Sequence, residues 1–156
     1  MLGWAAFLLA SGPVASAVDC ETMVRAHVAD VRITAASPID PQPVWQSPPN
    51  FTTGNQPVAV RASFCRVEGI IEKEIAFELW LPPKASWNGR YLGVGNGGDA
   101  GFINYQDLSR GVSRGFASAS TDTGHKRTEA NWGLGHPDRV ESGNIPTPPA
   151  PDMMPS

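Results

Sequence analysis

Two short apolar runs, each cut off by a loop built from small and polar residues, constrain this chain most. Tyr91-Leu92-Gly93-Val94-Gly95 stops at Asn96-Gly97-Gly98, and Phe116-Ala117-Ser118-Ala119-Ser120-Thr121 stops at Asp122-Thr123-Gly124-His125. Between them, residues 104–111 read as a short helix that Gly115 ends. Strand, glycine loop, helix and strand in that order make one βαβ unit with parallel strands. The small residues of the second run suit a buried strand.

Upstream the pattern is antiparallel. Residues 58–67 alternate, and residues 74–82 alternate clearly, with Ile75, Phe77, Leu79 and Leu81 on one face. Residues 68–73 read as the hairpin between them. Pro82-Pro83 closes the second strand, and Trp87-Asn88-Gly89-Arg90 reads as a turn, since Asn-Gly tolerates positive φ. Residues 21–30 are expected to form a short helix and residues 31–35 a strand. Residues 37–57 carry six prolines and read as a surface loop. The predicted fold class is α/β: antiparallel hairpins leading into a βαβ unit, with the sheet incomplete.

The 156 residues suffice for one modest domain. The net charge is −3 and the 12 basic residues are scattered, so no basic stripe for nucleic acid exists. Glycine and proline are abundant, but five tryptophans and six phenylalanines argue for a real core. Residues 1–17 read as a signal peptide. The apolar run Leu2 to Ala10 is too short to span a bilayer, and Ala15-Ser16-Ala17 offers small-x-small cleavage. This implies a secreted chain, extracellular or periplasmic, with no membrane partner. Residues 18–140 form the predicted domain, and residues 141–156 read as a disordered Pro-rich tail.

Cys20 and Cys65 are the two cysteines. Export favours a disulfide over two buried thiols. They cannot complete a zinc site without nearby histidines, so no metal is expected. Asn50-Phe51-Thr52 is a glycosylation sequon.

Gly111-Val112-Ser113-Arg114-Gly115 matches G-x-S-x-G literally but fails on context. A nucleophile elbow needs a strand before the serine and a helix after it, and here the order is reversed. Ser113 precedes the strand that Asp122 follows, so the two belong at opposite ends. Asp122 and His125 are expected to serve their own loop through backbone hydrogen bonds. His27 and His136 have no evident partners. No catalytic residue is therefore assigned. The Asn96-Gly97-Gly98 loop reads either as a tight turn or, after the third strand of an α/β hydrolase, as bare backbone N–H groups pointing at the oxyanion of an acyl intermediate, with Gly97 and Gly98 as the candidates; a phosphate loop is disfavoured because no G-x-x-x-x-G-K-[ST] or G-x-G-x-x-G with a following acid is present.

The segments Phe77-Glu78-Leu79-Trp80-Leu81-Pro82, Trp87 to Gly98, Gly115 to His125, Trp132-Gly133 and Gly135-His136-Pro137 together resemble the tannase and feruloyl esterase family. The resemblance runs from about Cys20 to Val140. It implies the N-terminal part of an α/β hydrolase and cleavage of esters of gallic, ferulic or related aromatic acids. It implies a serine nucleophile in a Cys-Ser-x-Gly-Gly setting, with the acid and base later in the chain and calcium in an inserted lid. Those segments have no counterpart here, so the chain is expected to be inactive alone and to need no cofactor. Cys20 and Cys65 match the family's N-terminal disulfide, and Gly97 and Gly98 match its oxyanion loop. After Val140 the sequence departs from the family pattern, which is the expectation for a truncated or frameshifted C-terminus. Two other readings compete. One is a small secreted binding module for aromatic or carbohydrate ligands, using Trp45, Trp80, Trp87 and Trp132. The other is a partner that completes another chain's sheet.

Overall fold

The computed structural model describes residues 20–97 and 100–129. The stretches expected to be a signal peptide, residues 1–17, and a Pro-rich tail, residues 141–156, lie outside them. Seven strands and one α-helix follow in chain order: β1 (Val31–Ile39), β2 (Trp45–Asn50), β3 (Gln56–Val60), β4 (Phe64–Ile71), β5 (Ile75–Leu81), β6 (Tyr91–Val94), α1 (Tyr105–Ser113) and β7 (Ala117–Thr121). Five strands form one sheet in the order β1-β4-β5-β7-β6, and β2 and β3 form a separate hairpin. Only β6 and β7 run parallel within the five-stranded sheet. This is the predicted βαβ unit, joined to antiparallel strands.

Alternation along each strand gives the sheet two faces. One face carries Phe64, Trp80, Ser118, Ser120 and Val94. Helix α1 covers it with Tyr105, Leu108 and Val112, spaced three and four residues apart on one helical stripe. The β2–β3 hairpin closes the same core through Val60 and Trp45. Phe64 stacks on Trp80 at 4.3 Å, and Trp45 meets both edge-on. The opposite face carries Val67, Leu79 and Leu81 beneath Cys20 and Met23.

Several local expectations are revised. Residues 21–30 do not form an α-helix: a 3-10 turn spans Cys20–Arg25, and Val24 and Val28 stay half exposed. Without an apolar stripe to bury, the segment has no reason to continue as a helix. The first strand reaches Ile39 rather than ending at residue 35, because β4 offers partners to Phe64. The proline-rich segment is not one surface loop. It contains the β2–β3 hairpin, in which Pro49 faces Pro57 and the register shifts between Gln46 and Pro49. Prolines are tolerated there because the ladder is a two-stranded edge with an irregularity. Residues 58–67 are two strands, since Arg61–Ser63 carry the chain from the hairpin to the main sheet. In β5 the most apolar face, Ile75, Phe77, Leu79 and Leu81, is only half buried. Glu78 and Trp80 on the other face are buried.

The turn at Trp87 is a structural lock. Asn88 N–H donates to Gly115 O at 2.9 Å and its Nδ2 donates to Arg114 O at 2.9 Å. The loop before β6 is thereby fixed to the C-terminal end of α1.

Candidate functional site

Because β6 and β7 are parallel, the loops that follow them leave the sheet at the same end. In open α/β sheets that end is where ligands bind. The loop after β6 starts at Gly95. Asn96 spans it, donating from Nδ2 to Phe102 O at 2.7 Å and to Thr121 O at 3.2 Å. Its Oδ1 is buried without a hydrogen-bond partner. Asn104 then caps α1, accepting from Asp107 N–H at 3.1 Å, while its own N–H donates to Ser120 Oγ at 3.1 Å. Both ends of the glycine loop are therefore bonded to β7 or the turn beyond it.

The glycines of this region divide by what holds them. Gly101 has φ +78°, and a Cβ there would collide with the backbone of Arg127 and stand 3.0 Å from the His125 ring. Its place is dictated by the protein's own packing. Gly95 and Gly97 have neither a positive φ nor any atom within 4 Å of an added Cβ. Nothing in the described structure requires them to be glycine. Gly98 lies outside the described residues.

Asp122 is buried and ties its own loop to the start of β5. Its Oδ1 accepts from Ala76 N–H at 2.9 Å and Gly124 N–H at 3.1 Å, and its Oδ2 accepts from Lys126 Nζ. His125 is buried beside it, with Nδ1 3.2 Å from Thr123 Oγ1. Ser113 sits exposed at the far end of α1. The five residues of β7 separate Ser113's end of the sheet from Asp122's, a span of about 16 Å at strand rise. The three residues are not brought together. His27 is exposed and His136 lies outside the described residues. Among the described residues, no group of three or more His, Cys, Asp or Glu is placed to hold a metal. No residue of this chain is assigned to the calcium that the resemblance implies in the lid.

Cys20 and Cys65 are joined, tying the 3-10 turn to β4. Among the described residues no helix is long and apolar enough to cross a membrane. Trp80 is fully buried, Trp45 is core packing, and Trp87 exposes half its surface while donating to Arg90 O at 3.2 Å. Trp132 lies outside the described residues.

Two clusters escaped the sequence reading. The first centres on Glu78, buried on the helix-facing side of β5. It accepts from Arg66 twice, at 2.8 and 2.5 Å, from Trp80 Nε1 at 2.9 Å and from Tyr105 Oη at 2.8 Å. Burial, then the Glu78 charge and hydrogen bond, push the Tyr105 phenol above its ordinary range. Burial works against the Arg66 charge, but its bonds to Glu78 and the nearby Glu68 outweigh it, so Arg66 is held more firmly protonated than usual. The second cluster is Phe51, Phe102 and Arg127. The Arg127 guanidinium lies 3.6 Å from the Phe51 ring centre, and Phe51 meets Phe102 at 5.5 Å. Alternation flags neither cluster, because their members are far apart in sequence.

The mixed sheet, its β1-β4-β5-β7-β6 order and the glycine loop after β6 define the N-terminal part of an α/β-hydrolase fold. An esterase from Aspergillus oryzae superposes on 80% of this chain with a TM-score of 0.68 and 26% identity. Feruloyl esterase B of the same organism superposes on 80% with a TM-score of 0.65 and 23% identity. The match covers 25% of each of those chains.

The family model described as tannase and feruloyl esterase matches residues 58–142, more than half of the chain, and the protein belongs to that family. An uncharacterized esterase of Xanthomonas campestris is 42% identical over 84 residues, 50% of this chain and 14% of that protein. Feruloyl esterase C of Talaromyces stipitatus is 36% identical over 99 residues, 61% of this chain and 18% of that protein. The chain thus spans less than a fifth of these curated relatives.

Proposed function

We propose that this chain supplies the oxyanion side of a serine carboxylic ester hydrolase acting on esters of gallic, ferulic or related aromatic acids. The observation that carries the reading is the unforced bareness of Gly95 and Gly97. Among the described residues these glycines answer no demand of backbone angle or packing, and the open space beside them supports the reading. A substrate acyl group approaching backbone N–H donors is the occupant that the family suggests. Donors fixed before the reaction, in a water-poor site, stabilise charge as it develops. Asn96 and Asn104 hold the loop at both ends, which supplies that rigidity.

Among the described residues Ser113, Asp122 and His125 do not converge, which supports reading this chain as inactive alone. The nucleophile and its partners belong to sequence that the relatives carry elsewhere. The Cys20–Cys65 bond supports a secreted protein, since such bonds persist in oxidising compartments. No nucleic acid or membrane partner enters this function.

The test is a chimera in which residues 58–129 replace the matching stretch of Feruloyl esterase C, assayed on methyl ferulate and methyl gallate. Gly97→Pro removes one backbone donor. The expected result is a fall of about 10²- to 10³-fold in kcat with KM little changed. Unchanged kcat rejects Gly97 as a donor. Turnover by the isolated chain that Ser113→Ala abolishes would reject the inactivity.

A further inference from the structure

We infer that β6 is a self-association edge: it pairs antiparallel with β6 of a second copy of this chain, about a two-fold axis at Gly93. Among the described residues β6 has a neighbour on one side only, β7. Arg90 O accepts from Ala117 N–H at 3.0 Å. Bonding residues alternate along a parallel ladder, so Leu92 and Val94 also face β7. The N–H and C=O groups of Tyr91, Gly93 and Gly95 therefore point the other way, off the margin of the sheet. Such a row is a template for another strand. Tyr91 to Gly95 carries no charge and no proline, two devices that blunt an edge.

The register follows from which groups are free. Tyr91, Gly93 and Gly95 must occupy the hydrogen-bonded pairs of an antiparallel ladder, because only their groups face outward. An axis at Gly93 sets Gly93 against the partner's Gly93, and Tyr91 against the partner's Gly95. All three outward residues are then used, for about six backbone hydrogen bonds. An axis at Tyr91 or at Gly95 leaves the other two outside the pairing of these residues.

The side chains agree with that register on both faces. Leu92 and Val94 face α1, so Tyr91, Gly93 and Gly95 share the opposite face. There the Tyr91 ring lies over Gly93, where an added Cβ would meet it at 3.6 Å, and a Cβ added at Gly95 would have no atom within 4 Å. The ring of each copy covers bare backbone on the other, the cross-strand arrangement in which an aromatic shields a glycine. On the α1 face Leu92 stands opposite the partner's Val94. Both residues line an open groove of about 350 Å³ between β6 and α1, which the apolar pair of the second copy reaches from its mouth. Trp87, Tyr91 and Leu92 are three of the six large apolar side chains left exposed among the described residues, so the apolar surface is concentrated at this edge. A second copy is the occupant because it brings a tyrosine for the glycines and glycines for the tyrosine, the self-complementarity that a two-fold contact requires. The seam is short, which places the dimer among weak, concentration-dependent ones.

The experiment follows the full chain by sedimentation velocity from roughly 1 to 500 µM, with amide hydrogen exchange read at Tyr91, Gly93 and Gly95. The expected result is a monomer–dimer equilibrium in which those three amides slow as the dimer fills. Gly93→Lys sets two like charges at the axis and should weaken the dimer by at least about tenfold. Gly93→Cys should cross-link to itself on mild oxidation, because a hydrogen-bonded pair holds its Cα atoms about 5.5 Å apart, within reach of a disulfide. Leu92→Cys should not, since the partner's Leu92 lies on the diagonal, about 7–8 Å away. The cross-links read the register even if Gly93→Lys melts early. A monomer at every concentration overturns the inference, whether the three amides exchange freely or are held slow by residues 130–156 of the same chain. So does a dimer that Gly93→Lys leaves intact, or one that cross-links through Leu92→Cys and not through Gly93→Cys. The pairing uses Gly95 and not Gly97, so its failure leaves the oxyanion reading to the Gly97→Pro chimera, and the reverse holds.

Discussion

Gly111 of α1 lies directly against Ser118 of β7, so close that a Cβ on the glycine would collide with the serine hydroxyl and stand 3.0 Å from Leu92 Cδ2. In an exposed helix, Gly→Ala gains up to about 1 kcal/mol. Here the sign reverses. Gly111→Ala should destabilise by about 1–3 kcal/mol through overpacking, measured by urea denaturation. Gly111→Ala with Ser118→Gly removes the obstructing hydroxyl and should recover part of the loss. Additive destabilisation in the double variant would show that the contact does not set helix position.

Glu78 joins three side chains, Arg66, Trp80 and Tyr105, into one buried unit, so its charge and shape matter more than its location on a strand suggests. Glu78→Gln takes away the buried counter-charge of Arg66 and leaves it the partly exposed Glu68, 3.0 Å away. The expected cost is about 3 kcal/mol, read from the denaturation midpoint. Exchange of Glu78 for Gln without loss of stability would mean that Glu68 or solvent compensates the guanidinium.

Tyr105 links the start of α1 to that network, and its raised pKa gives a signed pH effect. The folded state keeps the phenol protonated past the point, near pH 10, at which an unfolded tyrosine ionises. Stability from this group is therefore complete below about pH 10 and lost as pH climbs toward the folded value. At pH 8, Tyr105→Phe should cost about 1 kcal/mol for the lost hydrogen bond. The gap between wild type and Tyr105→Phe should narrow as pH rises above 10. A constant gap between pH 8 and 11 counts against the assigned shift.

The Cys20–Cys65 bond closes a loop with a sequence separation of 45 residues. Chain entropy assigns such a loop about 4 kcal/mol. Cys20→Ser with Cys65→Ser should lower the melting temperature by tens of degrees in a domain this small, and added reductant should have the same effect on the parent protein alone. Equal melting in both redox states would show that the 3-10 turn adds little.

The βαβ unit was legible in the sequence because its signals are local. Glycine loop, amphipathic helix and small-residue strand each declare themselves within about ten residues. The β2–β3 hairpin was hidden because Pro48, Pro49 and Pro57 normally mark loops, and only the irregular register accommodates them. The strand break at Arg61–Ser63 was hidden because alternation says nothing about which sheet a strand joins. Glu78 was hidden for a different reason. A glutamate between Phe77 and Leu79 reads as solvent-facing until Arg66, Trp80 and Tyr105 arrive from three places to satisfy it. At the candidate site, the Gly97 loop was visible as composition, whereas Arg127 meeting Phe51 depends on a hairpin that the sequence did not announce.

The two margins of the main sheet are finished differently. On one side β1 carries Pro38 and a register irregularity between Ile33 and Ala35, which discourage a further neighbour. On the other, β6 ends the described sheet with Tyr91 and Leu92 open to solvent. Assembly on this scaffold is consequently one-way: any added strand extends it beside the glycine loop, and so brings new side chains to the same rim where Asn96 already stands.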